Sequence, residues 1–468
     1  MRRAERRAGW QSAATPDRVC GWGGGERVPV WRWRPSNAAA LRAGLGPART
    51  PGWPGAIARG RGRSYGDAAQ CGGGLVISTS RLDELRLDRD AGLLTVGAGV
   101  TLARILTECV QHGLILPVVP GTQHVTVGGA IASDIHGKNH GLAGGFGRHV
   151  EALGLVTAAG ELLELTPETP GGLFDSTVGG MGLTGVIVWA RIRLARVPSP
   201  QLSVDTDRAA SLDEALALLA EPGGPHRVAW LDLLDPGSVR GVVTRAEHAP
   251  AGSPAGAAAT QAATRAATRA ATRRARAVIP PGWPAWPLRT ETVRAFNALR
   301  YRLAPRSERG RIFGFAEHMF PLDGLAAWPR LYGRDGFLQY QLVVPSGAER
   351  TLEQVIGHLR RARVPPFLVV LKDMGPASRG PLSFPIAGWT LALDIPRRTA
   401  GLEAALDHCD ELVAGAGGRV YLTKDARLRP QLTAAMYPRL AEWQEIRDRV
   451  DPDGIWRSDL ALRTGLVG

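Results

Sequence analysis

The stretch "GRGRSYGDAAQCGGG", residues 60–74, sets six glycines around a charged, aromatic centre. Glycine supplies positive φ at no steric cost and lets a backbone approach a ligand without a Cβ in the way. Such a loop suggests a wrapped phosphate, but neither familiar phosphate framework fits. A dinucleotide fingerprint needs G-x-G-x-x-G between a strand and a helix. Here Gly60 and Gly62 are followed by Gly66, one residue too late, and no helical pattern follows. The Lys-Ser/Thr ending of a P-loop is absent as well. A phosphate held here is held by another framework.

Outward from that loop, 468 residues suit two or three domains. A hydrophobic content of 44% with 21% charged residues describes a globular chain. No apolar run approaches the roughly 20 residues of a membrane span. The opening "MRRAERRAGWQSAATPDRV" has arginines but no apolar stretch after them, so no secretory signal is visible. Cys20, Cys71, Cys109 and Cys409 lack C-x-x-C spacing, which argues against a zinc site, and no metal is expected. The expected location is cytoplasmic or peripheral at a membrane, with a periplasmic one left open. The net charge of +14 invites a nucleic-acid reading, but no nucleic-acid-binding pattern accompanies the arginines, and no nucleic-acid partner is expected.

Short buried strands are expected at 74–79 and 93–99. A helix starts at Thr101, with Leu102, Ile105, Leu106, Cys109 and Val110 on one face and Gly113 as its stop. "VGGAIASDI" reads as a short helix whose small residues lie close to something flat. Residues 150–166 form a hairpin, and 177–197 end in a long strand. After about residue 200 the style changes. "SLDEALALLA" is a Ser-capped helix, and "RVAWLDLLD" and "GVVTRAEH" are strands. Strands at 336–345, 365–375 and 387–396 alternate with helices at 349–362 and 400–414. That mixture, without β-α-β glycine turns, predicts an antiparallel sheet with helices on one face. Residues 251–277 are of low complexity, with "AATR" three times at 262–273, and read as a surface insert.

Three glycine-dense segments (60–74, 121–137, 177–185) sit apart in sequence beside short strands. Their number suggests several backbones converging on one extended ligand, a pyrophosphate in backbone N–H nests among its parts. "GRGRSYGDAAQ", "PGTQHVTVGGAIASDIHGKNH", "TVGGMGLTGVI" and "YLTKDARL" together resemble the vanillyl-alcohol oxidase / p-cresol methylhydroxylase flavoproteins. The likeness runs from about residue 25 to 463 and is strongest to members that oxidise the 2-hydroxyl of a polyprenyl-phosphoryl ribose. It implies an α+β fold: a two-part FAD-binding domain plus a substrate domain whose antiparallel sheet is covered by helices. The implied division is a basic, flexible 1–24, FAD-binding 25–199, substrate-binding 200–415 with the 251–277 insert, and a C-terminal 416–468 returning to the FAD domain.

Carried over by position, the resemblance implies that Ala58, Arg59, Gly60, Arg61, Gly62, Arg63, Ser64, Tyr65, Gly66, Asp67 and Ala68 wrap the pyrophosphate and ribityl chain of FAD. Gly121, Thr126, Val127, Gly128 and Gly129 complete the cradle. Ser133, Asp134, Ile135 and His136 pass along the isoalloxazine edge, Ile187 lies by the adenine, and Tyr421 reaches the flavin from the C-terminal segment. A β-branched residue at Gly62 or Gly128 is expected to push a Cβ into the cofactor. Relatives that attach FAD covalently use a His two residues before Tyr65. Arg63 stands there, so FAD is expected to be bound without a covalent bond.

The implied chemistry is hydride transfer from a secondary alcohol, giving a keto sugar as the first half of an epimerisation to the arabinose used in cell-wall arabinan. Lys424, Tyr65 and His136 are the catalytic candidates. A Lys serves as base only if burial and positive neighbours lower its pKa. Lys138, Trp230, Gln339, Gln341, Lys372, Thr390, Ala392 and Lys424 are the substrate-side candidates, with Gln339 and Gln341 on one strand face. Two positions depart from the family pattern: Ala392 replaces a Cys often found facing the flavin, and Gly141 replaces a second His. The implied partners are a lipid-linked sugar phosphate, a nicotinamide-dependent short-chain reductase as second epimerase subunit, and peripheral membrane contact. An alditol or sugar-lactone oxidase using oxygen is the competing reading.

Overall fold

The computed structural model describes residues 13–49, 52–251, 272, 275–284 and 288–468. The first four-stranded sheet runs in the order Thr15–Val19, Val28–Trp33, Leu75–Ser78, Ala56–Arg59. A second, antiparallel sheet of five strands runs Leu85–Asp88, Leu93–Gly97, Val186–Arg193, Val150–Val156, Leu162–Leu165. The helix Leu102–Cys109 begins where the sequence predicts, with the Thr101 hydroxyl accepting from Arg104 N–H and Gly113 at φ 67° behind its 3₁₀ extension. Its buried Leu102, Ile105, Leu106 and Cys109 join one core with the five-stranded sheet and the short helix Val127–Ala132.

The second half carries an eight-stranded sheet, antiparallel at every pairing. Its order is Ser307–Gly314, Gln201–Ala209, Arg240–His248, His226–Asp232, Leu368–Met374, Gly388–Pro396, Phe337–Pro345, Arg419–Val420. Strand alternation sorts its side chains. Ala229, Leu231, Leu371, Leu391 and Leu393 face a core shared with the helices Leu212–Ala220, Glu349–Arg361 and Leu402–Gly415. Truncating a fully buried residue here, such as Leu391→Ala, costs about 2–5 kcal/mol. The intervening residues face the other way, and that second face forms a cavity wall. The sequence-predicted α+β architecture and its helix-covered antiparallel sheet are therefore as observed.

The two chain ends meet in the first half. Ala56 N–H donates to Ile455 O at 2.8 Å, Arg457 N–H returns to Ala56 O at 3.0 Å, and Trp456 is fully buried. The Arg463 guanidinium grips both Asp67 oxygens at 2.8 and 2.9 Å.

Three expectations need correction. Residues 1–24 are not uniformly a flexible arm, because Thr15–Val19 pairs with Val28–Trp33 along its length. Burial of Val19 and the Arg32–Asp17 ion pair at 2.8 Å hold it there. Second, the helix Thr290–Leu303 and the edge strand Ser307–Gly314 had no counterpart in the sequence reading. The helix buries Val293 and Asn297 while leaving Phe296, Leu299 and Leu303 out, which inverts the usual pattern. Third, residues 252–271, 273 and 274 of the insert lie outside the described residues, whereas Ala277–Val278 pairs with Leu325–Ala326. Among the described residues no helix is long and apolar enough to cross a membrane.

Candidate active site

The loop 60–74, the segment 119–138, the eight-stranded sheet and the turn after Val420 enclose one cavity of about 660 Å³. That volume lies in the range of small-molecule and cofactor sites. One side is built by the glycine-rich loops and the turn after Val420. Ala58, Gly60, Arg61, Gly62, Arg63, Ser64, Tyr65, Ala68, Gly121, Thr126, Gly128, Gly129, Ser133, Ile135, Ile187 and Tyr421 line it, together with Gly182 and Gly185. The other side is the sheet: Val204 and Thr206, Val242 and Thr244, Val228 and Trp230, Leu368, Val370 and Lys372, then Ala392, Gln339 and Gln341. Residues two apart along one strand share a face, so the wall is a single pleated surface.

The glycines of the loops are not interchangeable. At Gly121 an added Cβ would meet no atom within 4 Å. At Gly62, where φ is 62°, it would strike the Arg59 guanidinium at 2.3 Å, and at Gly128 the Ala98 Cβ at 3.0 Å. At both positions an added side chain would also meet the protein's own atoms, and both glycines line the cavity. Gly66 is tighter still, with its Cβ position 1.9 Å from Asp425 O.

Several expected cradle residues stand behind the wall. The Arg59 guanidinium donates to Ala69 O and Cys20 O, each at 2.8 Å, and so shapes the loop. Asp67 is bound by Arg463, Gly66 packs on Asp425, and Val127 is buried in the core. Asp134, at φ 37°, is fully buried and accepts Gly147 N–H at 2.9 Å. Thr390 is also fully buried and donates to Leu342 O at 2.8 Å. Arg63, by contrast, lines the cavity, stacked 3.6 Å over the Trp22 ring, with burial lowering its pKa to about 10.

The polar end of the cavity gathers the catalytic candidates. A turn carries Lys424, whose backbone N–H donates to Tyr421 O at 2.8 Å. Its ammonium sits 3.7 Å from the Tyr65 ring centroid. Burial pushes the Lys424 pKa down, the Asp394 charge pulls it up, and Lys372 lowers it further. Burial raises the Asp394 carboxyl, offset by the Gln339 amide and Lys424. Asp394 Oδ1 accepts from Gln339 Nε2, while Oδ2 is buried with no hydrogen-bond partner among the described residues. Tyr65 and Tyr421 are both raised by burial, so their hydroxyls stay protonated. Tyr421 Oη donates to Ser133 O at 2.8 Å, tying the C-terminal turn to the predicted flavin edge.

His136 is neutral. Burial lowers its pKa well below the usual value, and Lys372, His140 and Lys424 add to the effect. The Gln341 amide nitrogen lies 3.0 Å from His136 Nε2 and 3.1 Å from Thr390 Oγ1. With the amide donating, the imidazole proton sits on Nδ1, which is buried without a partner. Burial also pushes Lys138 down to about 7 and Lys372 to about 8. Lys138 Nζ donates to His318 O.

The structure thus brings Lys424, Tyr65, His136, Lys138, Lys372, Gln339, Gln341, Ala392 and Trp230 to one cavity. Sequence reasoning missed Asp394, Trp22, Arg300 and Asp323. Asp394 was within reach, since it follows Ala392 by two on the same strand. Asp323 braces the cradle from a distant segment, accepting from the Thr122 hydroxyl at 2.7 Å and from Gln123 N–H at 2.8 Å. Gly141 packs where a Cβ would meet Asp373 Oδ2 at 2.7 Å, so a His there would displace that carboxylate. Among the described residues no group of three or more His, Cys, Asp or Glu could hold a metal ion.

A glycine-rich trough, open space over Gly121, and His136 Nδ1 and Arg63 Nε without hydrogen-bond partners among the described residues fit a long, flat, anionic ligand with ring acceptors. Comparison with known proteins names it. A family model described as an FAD binding domain matches residues 32–166. The decaprenylphosphoryl-beta-D-ribose oxidase of Mycolicibacterium smegmatis is 38% identical over 460 residues, 97% of this chain and 98% of that protein. An uncharacterized protein from the mprA 5′ region of Streptomyces coelicolor is 40% identical over 376 residues, 78% of this chain and all of its own length. The L-gulonolactone oxidase of Bos taurus is 33% identical over 150 residues, 31% of this chain and 33% of its own. FAD is the cofactor, and the chain belongs to the vanillyl-alcohol oxidase / p-cresol methylhydroxylase family of FAD-binding oxidoreductases, together with decaprenylphosphoryl-beta-D-ribose oxidase.

Proposed function

We propose that this enzyme oxidises the 2-hydroxyl of a polyprenyl-phosphoryl ribose to a keto sugar, the first half of an epimerisation that a nicotinamide-dependent short-chain reductase completes. The observation that carries the reading is a match to the decaprenylphosphoryl-beta-D-ribose oxidase at 38% identity over 97% of this chain, against a match to the lactone oxidase confined to about a third of the chain. The cavity supports it in kind. Its polar end holds three half-buried lysines for a phosphate and a sugar, and the wall beyond carries Val204, Val228, Val242, Leu368 and Val370, apolar surface for the first isoprene units, interspersed with Thr206, Thr244 and Trp230.

In this reading Ala58, Gly60, Arg61, Gly62, Arg63, Ser64, Gly121, Thr126, Gly128 and Gly129 hold the dinucleotide, without a covalent bond because Arg63 offers no ring nitrogen for one. Ser133, Ile135, His136 and Tyr421 line the flavin end. When bound, FAD supplies the acceptor for the C2 hydrogen as hydride. Lys424 Nζ, held toward its neutral form by burial, receives the hydroxyl proton as the C2 carbonyl forms. Asp394 keeps that ammonium in place afterwards, and Gln339 holds Asp394. Lys372 and Lys138 bind the phosphate, and Gln341 orients the neutral His136. Tyr65 closes the ring face of the site under the ammonium.

Borodeuteride quenching of the product tests the position of oxidation. Reduction of a 2-keto sugar places deuterium at C2 and yields both ribo and arabino epimers. Deuterium at another carbon, or none, would overturn the assignment.

A further inference from the structure

The cavity-lining arginine Arg300 leads out to an exposed apolar surface without a partner among the described residues. It lies on the helix Thr290–Leu303, with its guanidinium 4.7 Å from the Trp230 ring centroid. Residues three and four apart share a helical face. On this helix Phe296, Leu299 and Leu303 form one such stripe and are 60%, 56% and 75% exposed. The buried contacts of the helix belong to Val293 and Asn297 on a different face. The edge strand that follows exposes Ile312 while its neighbour Phe313 lines the cavity. Three large apolar side chains in one exposed stripe mark an interaction surface rather than scattered surface residues.

Charge identifies what covers it. Arg300 and Arg302 flank the stripe on its two sides, and Arg289 and Arg306 lie just beyond the helix ends. None of these four has a carboxylate partner among the described residues. The whole chain carries a formal charge of +14. A helix lying in the plane of a bilayer buries one apolar face at the acyl boundary and sets basic residues against anionic head groups.

We propose that the helix Thr290–Leu303 is the membrane-docking element of the enzyme, seating the apolar end of the cavity on an anionic bilayer from which a lipid-linked substrate enters. The inference rests on the proposed lipid substrate for its purpose, and on the stripe and its arginines for its location. A protein partner and a second copy of the chain are the competing occupants.

The test floats full-length, FAD-loaded enzyme with vesicles of phosphatidylcholine alone or mixed with phosphatidylglycerol, at low and high salt. Binding to the mixed vesicles, weakened by salt, is expected. Phe296→Asp with Leu303→Asp should reduce it by roughly tenfold or more, and Arg302→Glu should weaken it by a few-fold. Both variants should keep their far-UV dichroism, their flavin absorbance, and wild-type flavin reduction by a short-chain, water-soluble prenyl-phosphoryl ribose. No vesicle binding by the wild type, equal salt-insensitive binding to neutral vesicles, or unchanged binding by the Phe296/Leu303 variant would each overturn the proposal. Loss of self-association or of a reductase complex in that variant, without loss of vesicle binding, would assign the stripe to a protein instead. If the substrate reading alone is wrong, the soluble ribose fails to reduce the flavin while the vesicle results stand.

Discussion

Lys424 carries the account at the scale of single residues. A cation over the Tyr65 ring, pushed toward its neutral form by burial, is a base matched to neutral pH. In the proposed mechanism Lys424→Ala removes the proton acceptor but none of the glycine cradle. The variant should therefore keep its flavin spectrum and reduce its flavin about 10²–10⁴-fold more slowly, or about 3–5 kcal/mol of barrier. Lys424→Arg should rescue little, since a guanidinium stays protonated and presents a planar fork. Near wild-type reduction in Lys424→Ala would remove the residue from the chemistry. Asp394 gives a pH prediction. Its negative charge raises the Lys424 pKa, so Asp394→Asn lowers it. The rate of flavin reduction rises with pH as Lys424 loses its proton, and in Asp394→Asn that rise should move to lower pH. A rise displaced to higher pH would contradict the pairing. Lys424 was legible because "YLTKD" is a specific string; Asp394, two residues beyond Ala392 on the same strand face, was passed over because a carboxylate late in "LALDIP" reads as the polar end of a strand.

At the scale of elements, the glycine loops do two different jobs that sequence cannot separate. Gly66 lets the loop 60–74 touch the backbone of the Tyr421–Leu428 turn, whereas Gly121 faces open space. Gly66→Ala should lower stability by about 1–3 kcal/mol or more through overpacking, seen as a fall in Tm of the apoprotein. Gly121→Ala should leave that Tm unchanged and weaken only FAD binding, read by fluorescence titration. Equal loss of stability in the two variants would refute the division. The predicted strands and helices with regular periodicity, such as Leu102–Cys109 and Phe337–Pro345, were readable because their apolar faces are the buried ones. Thr290–Leu303 escaped because its apolar stripe points outward, and Ser307–Gly314 because Gly310, at φ 67°, interrupts an already polar edge. Local pattern reports burial only where burial is what the pattern serves.

Across the whole molecule, the cavity exists only because remote segments close on it. Tyr65 N–H donates to Thr423 O at 3.1 Å, Tyr421 N–H to Gln341 O at 2.9 Å, and Tyr421 Oη to Ser133 O. Chain start, middle and end therefore meet at one polar pole. That convergence was implied by family likeness; composition and spacing alone led only to a glycine-lined extended ligand. Lys424, Lys372 and His136 share the cavity with Val204, Val228, Val242, Leu368 and Val370, and in the proposed reading that apolar surface distinguishes a lipid-linked ribose from a free alditol. The most direct measurement is anaerobic stopped-flow reduction of the flavin, followed at its absorbance near ~450 nm. A prenyl-phosphoryl ribose should bleach that band rapidly and completely in the absence of oxygen, and alditols or sugar lactones at the same concentration should do so far more slowly. No bleaching by the ribose lipid, or faster bleaching by an alditol, would contradict the account.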